Sequence, residues 1–164
     1  LIDSGFGNLA GPPSLDSCTR DIYSADTIFT LNAVLHMALG IVSAAQQLHA
    51  RGIMHGDLYA HNILHCGAGN ALLGDFGAAS FFAPEDKPHA HSLQRIEVRA
   101  FACLLEELLE RCSAGEGPLA GESQVILKTL AELQAHCAHS SPTTRPLFAE
   151  IRQILQEQQA RMPH

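Results

Sequence analysis

The chain has no tryptophan, only two lysines (Lys87 and Lys128) and no long apolar run, and each shortage argues against a class of function. With 10 Lys and Arg against 17 Asp and Glu, the net charge is −7. No basic stripe is left to meet a phosphate backbone or an anionic bilayer, so nucleic acid is not an expected partner. The greasiest stretch, Ala33 to Ala45, is interrupted by His36 and Ser43. It falls short of the ~18 consecutive apolar residues a spanning helix needs, and no membrane span is expected in this segment. The five cysteines (Cys18, Cys66, Cys103, Cys112 and Cys137) are odd in number, scattered and without C-x-x-C spacing. They suit neither a disulfide framework nor a zinc site, and point to a reducing, cytoplasmic setting. Ten histidines are present, but most stand alone, and surface or structural roles are expected for them.

What the chain does have is enough apolar side chain, 46% of 164 residues, to bury one sizeable core. It opens on Leu1, and Leu1 to Pro13 has neither the basic start nor the apolar run of a leader, so the chain is expected to begin inside a longer protein. Those thirteen residues read as a connector, because Gly11-Pro12-Pro13 suits neither a helix nor a central strand. Gly5-Phe6-Gly7 is too short for a phosphate-cradling glycine loop. Ser14 is placed to cap a short helix through Ile22. From Thr30 to Ala50, apolar residues recur at three- and four-residue steps, predicting a long helix capped by Thr30 and ended near Gly52. Asn62 to Leu64 and Ala71 to Gly74 read as a small hairpin, and Ser80 to Ser92 as a loop. Further helices are expected over Leu93 to Cys112, with Ile96 on its apolar face, over Ser123 to Ala138, with Val125 inside, and after Pro146. Ser113 to Gly121, with three glycines and a proline, breaks the series.

The chemistry concentrates between Ile53 and Ala79. His55-Gly56-Asp57-Leu58-Tyr59-Ala60-His61-Asn62 follows the pattern H-R-D-L-x-x-x-N except at Gly56, and Asp75-Phe76-Gly77 comes thirteen positions after Asn62. Two carboxylates and an amide oxygen at this spacing suit phosphoryl transfer, which asks for positioning and charge neutralisation rather than covalent work. On these motifs the chain resembles a protein kinase, and the resemblance covers only the C-terminal half of a kinase domain. It implies an α+β, mostly α fold: a kinase C-terminal lobe with a small β-hairpin at the catalytic loop, spanning 1–164, with 1–13 as hinge and 14–164 as the helical lobe. It also implies ATP and magnesium as cofactors and a protein hydroxyl as acceptor. Asp57 would be the catalytic base, Asn62 and Asp75 the metal ligands, and Leu64 the residue beneath the adenine. His55, Phe76 and Gly77 would be structural.

Ala83-Pro84-Glu85 reproduces the family's A-P-E element, and Cys137, Pro142, Arg145-Pro146 and Phe148 resemble the closing pattern of tyrosine-kinase-like members. A Glu85–Arg145 salt bridge is implied. The chain is also similar to bacterial leucine-rich-repeat kinase-like proteins. Its departures are informative. Gly56 replaces the arginine that reads a phosphorylated activation segment, and only Ala78 to Phe82 separates Gly77 from Ala83, so switching by phosphorylation at a site such as Ser80 is not expected. Tyr59 and His61 stand where many kinases carry a basic residue, which leaves the acceptor class open. Glu97 stands where an aspartate usually tethers the catalytic loop. The N-terminal lobe, with its strand lysine, partner glutamate and glycine-rich lid, is absent from these residues, so the segment alone is expected to transfer little phosphate. Two alternatives remain open: a small-molecule phosphotransferase of the aminoglycoside or choline kinase type, and a pseudokinase binding module.

Overall fold

A computed structural model describes residues 5–18, 20–113 and 120–162. Leu1 to Ser4 and most of the Ser113 to Gly121 break lie outside the described residues. The elements run β1 (Gly7–Asn8), β2 (Phe29–Thr30), α1 (Leu31–Ala50), β3 (Ile53–Met54), β4 (Ile63–His65), β5 (Ala71–Leu73), β6 (Ser80–Phe81), α2 (Lys87–Glu110), β7 (Cys112–Ser113), α3 (Ala120–Cys137) and α4 (Phe148–Ala160). This is a mixed, mostly helical fold with small sheets, as the sequence predicts.

Helix α1 is the axis of the core. Thr30 Oγ1 accepts the Ala33 N–H at 3.2 Å, occupying one of the orphan donors of the first turn. Val34, Ala38, Val42 and Ala45 are fully buried, against Phe101 and Leu105 of α2 and Phe148 and Ile151 of α4 in one hydrophobic cluster. That burial accounts for an apolarity which, by length and composition alone, would also suit a membrane helix. The helix ends at Gly52, whose φ of +70° only glycine adopts without strain, and where a Cβ would sit 2.3 Å from the Phe82 carbonyl oxygen. The turn sends the chain into the loop that begins at His55, with Phe82 N bonded back to Gly52 O at 2.8 Å.

The predicted hairpin forms, with Ile63 opposite Leu73 and Leu64 opposite Leu72. Gly7–Asn8 adds to its edge as a third strand, Asn8 opposite Leu64. Four expectations need correction. Ser14 to Ile22 is not a helix: Ser14 Oγ accepts the amides of Asp16 and Ser17 in a tight turn, Cys18 takes a φ of +60°, and Ile22 pairs with Gly11. Ser80 to Ser92 is not a loop throughout, because Ser80–Phe81 pairs with Ile53–Met54 and α2 starts at Lys87. Pro88 is compatible with that start, since the first helical turn has no use for its missing N–H. Ile96 and Val125 are 57% and 52% exposed, because their neighbours Glu97 and Ile126 take the buried positions.

Candidate active site

Three elements converge on the loop from His55 to Asn62. His55 is fully buried, its Nε2–H donating to Gly74 O at 2.8 Å while Nδ1 accepts the Asp57 amide at 3.3 Å. One imidazole thus ties this loop to the residue before Asp75. Asn62 makes the second tie: its backbone oxygen accepts Gly74 N at 2.8 Å, and its Nδ2 donates to Asp57 O at 2.9 Å and to Asp57 Oδ2 at 2.8 Å. The hairpin therefore holds Asp57, Asn62 and the entry to Asp75 in one hydrogen-bonded unit.

Asp75 is exposed, sits at a φ of +51°, and uses Oδ1 to accept the Gly77 amide at 3.1 Å. Aspartate tolerates that left-handed backbone better than most residues. Phe76 packs edge-on to His55 with ring centroids 4.9 Å apart. Asn62 Oδ1 accepts no hydrogen bond from the described residues, so a neutral oxygen and an anionic one remain to face a ligand. This donor set fits magnesium, which takes one or two protein oxygens and completes its shell with phosphate and water. Among the described residues no group of three or more His, Cys, Asp or Glu forms a protein-only cage.

The loop is held from outside by two carboxylates. Glu97 of α2 is buried, accepts Gly56 N at 2.6 Å through Oε1, and pairs through Oε2 with the buried His49 Nε2 of α1. This is the tether expected from its position, made by a glutamate. The second carboxylate, Asp21, is one that no motif in the sequence singles out. Its Oδ2 accepts His61 N at 3.0 Å and its Oδ1 meets His61 Nδ1 at 2.8 Å. The only sequence signal is that Asp21 is one of three aspartates, with Asp16 and Asp26, in a Ser- and Pro-rich stretch, forty residues from its partner. His61 Nε2 in turn lies 3.4 Å from Asp57 Oδ2, and the ring stacks on Tyr59. Partial burial opposes charge on this imidazole, but the Asp21 and Asp57 carboxylates outweigh it and raise the pKa.

Gly56 is required by the backbone. Its φ is +85°, and a Cβ there would lie 2.3 Å from Ala78 O. Restoring the family's arginine by Gly56→Arg is therefore expected to lower stability by roughly 2–4 kcal/mol, adding left-handed strain to a backbone displacement. Thermal denaturation checks it, and an unchanged midpoint would show that the turn relaxes freely.

The expected Glu85–Arg145 salt bridge is not formed. Glu85 is exposed and makes no ion pair among the described residues. Arg145 donates Nε to His139 O at 2.8 Å and Nη1 to Arg95 O at 3.0 Å, while Arg95 Nε donates to Arg145 O at 3.0 Å. Because α2 begins two residues after Glu85, the helix brings Arg95 alongside Arg145, and each guanidinium donates to the other's carbonyl oxygen instead. Leu64 lies half-buried in the middle of β4.

All five cysteines are free. Burial pushes the Cys137 thiol up to about 12, whereas backbone N–H groups of the Cys66 turn, that of Ala68 foremost, lower the Cys66 thiol. Thiolate is the reactive form, so iodoacetamide is expected to label Cys66 well before Cys137 in the native protein. Time-resolved peptide mass spectrometry reads the order, and equal rates would contradict the burial of Cys137.

The protein kinase domain profile matches residues 14–98, just over half of the chain, and the chain belongs to that family. It is 28% identical over 167 residues to the dual specificity testis-specific protein kinase 1 of Rattus norvegicus, covering 79% of this chain and 27% of that protein. It is 33% identical over 86 residues to a putative serine/threonine-protein kinase of Acanthamoeba polyphaga mimivirus, covering 51% of this chain and 16% of the relative. Over 161 residues it is 25% identical to a serine/threonine/tyrosine-protein kinase of Arabidopsis thaliana, covering 78% of this chain and 40% of the other. The chain thus spans less than half the length of each of these relatives.

Proposed function

We propose that residues 1–164 form the C-terminal lobe of a cytoplasmic, ATP-dependent protein kinase, similar to bacterial leucine-rich-repeat kinase-like proteins, whose N-terminal lobe is supplied by preceding sequence of the same chain. The observation that carries the proposal is the hydrogen-bonded unit of Asp57, Asn62 and the backbone entering Asp75. In a kinase lobe these groups have complementary tasks. Asp57 orients the acceptor hydroxyl and takes its proton. Its Oδ2 is already engaged by Asn62, which leaves Oδ1 for the acceptor. Asn62 Oδ1 and the Asp75 carboxylate hold the metal, and Leu64 forms the floor beneath the adenine. Bound magnesium neutralises charge on the phosphates.

Phosphorylation does not switch this loop. Ser80 is committed to a strand against Met54, and Gly56 offers no guanidinium to read a phosphate. A phosphate mapped to Ser80 that raised activity would overturn this. A second reading, transfer to a small alcohol, is favoured by one observation: the Glu85–Arg145 pair is missing, and with it one likeness to protein-directed kinases. Assays of the full-length gene product with protein and with small-alcohol acceptors separate the two. Residues 1–164 alone are expected to bind ATP weakly and to turn over negligibly, and robust transfer by them would sink the two-lobe proposal. A full-length product that binds nucleotide but phosphorylates neither acceptor would favour a pseudokinase module.

A further inference from the structure

We infer that Asp21 is a positioning residue of the catalytic loop, its carboxylate holding the His61 ring in the one orientation that packs it against Asp57. The inference deepens the phosphotransfer proposal and rests on it for its kinetic test.

The geometry starts at Asp21, whose side chain is 4% exposed. Its two oxygens engage two donors of a single residue, the backbone N–H and Nδ1 of His61, at 3.0 and 2.8 Å. A bidentate grip on main chain and ring fixes both the middle of the loop's short helical turn, Ala60–Asn62, and the side-chain torsions of His61. The ring so fixed places Nε2 3.4 Å from Asp57 Oδ2, the oxygen that Asn62 Nδ2 reaches at 2.8 Å. One oxygen of Asp57 is thereby held between two neighbours, and the carboxylate has little freedom to swing.

Asp21 is itself anchored on both sides. Arg20 reaches Glu106 at 2.5 Å, the Tyr23 hydroxyl donates to Glu107 at 3.0 Å, and Arg111 lies over the Tyr23 ring at 4.0 Å. Ile22 exchanges two backbone hydrogen bonds with Gly11 at 2.8 and 2.9 Å. All three side-chain anchors belong to α2 or its C-terminal cap, the helix whose Glu97 holds Gly56. Asp57 is therefore bracketed by one helix acting twice, directly at Gly56 and through residues 20–23 at His61. A loop with no arginine at position 56 gains a geometry set by the scaffold rather than by its activation segment.

The test compares Asp21→Asn, His61→Ala and the double variant in the full-length gene product. The Asp21→Asn side chain is nearly isosteric with the parent but presents an NH2 group to one of the two donors. Loss of positioning predicts that Asp21→Asn lowers kcat by about 10–100-fold while KM for ATP stays within about twofold. The double variant is expected to lose little more than the worse single one, since both act through the same contact. An unchanged kcat, or fully additive losses, would overturn the inference. If Asp57→Asn transfers phosphate as well as the parent, or if the parent transfers none, the phosphotransfer reading has failed instead. The imidazole NMR of His61 in residues 1–164 then decides. A slowly exchanging Nδ1–H resonance that disappears in Asp21→Asn supports the grip, and a freely averaging ring in the parent overturns it.

Discussion

Asp57→Asn is expected to reduce phosphate transfer by the full-length gene product about 10²–10⁴-fold, the usual worth of a positioned general base, with no loss of thermal stability. The reason for the second half of that expectation lies in the contacts. Asp57 is 40% exposed at its side chain, and the bond it receives from Asn62 Nδ2 survives, because the asparagine oxygen can still accept it. An amide, however, cannot take the proton of an attacking hydroxyl. Radiolabelled phosphate incorporation beside a melting curve tests both halves. Retained activity would remove Asp57 from the chemistry, whereas lost activity with a lowered melting point would implicate folding instead.

Glu97→Ala should have the larger effect on stability. It leaves the buried His49 Nε2 and the Gly56 N–H without their acceptor. A lost buried pair of this kind costs about 3–5 kcal/mol, which in a chain of this size lowers the melting temperature by roughly 10 °C. Glu106→Ala is the comparison. Its partner Arg20 and Glu106 itself are 44% and 43% exposed, so that pair is worth less than about 1 kcal/mol. Equal melting points for the two variants would contradict the tethering role of Glu97.

The elements legible in the sequence are those in which a local rule and the tertiary environment agree. Helix α1 is the clearest: a Thr30 cap, an apolar period and Gly52 all point the same way, and the structure follows each. The hairpin between Asn62 and Asp75 is equally readable, since its strands are short, apolar and separated by glycines. The catalytic motif is legible for another reason. Its residues lie within a stretch of twenty-three positions, so spacing along the chain nearly determines their arrangement in space.

Where a position is decided by a distant partner, local rules fail. Hydrophobicity places Ile96 inside; the fold turns it out and buries its neighbour Glu97 instead, because Gly56 and His49 need an acceptor that a carboxylate supplies. Ser14 to Ile22 carries a helix-start signal, yet it is held in turns and bridges while Asp21 is drawn to His61, forty residues away. Motif alone matches Arg145 to Glu85, and the early start of α2 gives it instead to the carbonyl oxygens of Arg95 and His139. Sequence alone thus determined the helical core, the hairpin and the residues of the phosphotransfer motif, through periodicity, caps and spacing. Only the tertiary structure decided that a second carboxylate, Asp21, joins Glu97 in holding that motif in place, because Asp21 acts across a forty-residue gap that no local pattern spans.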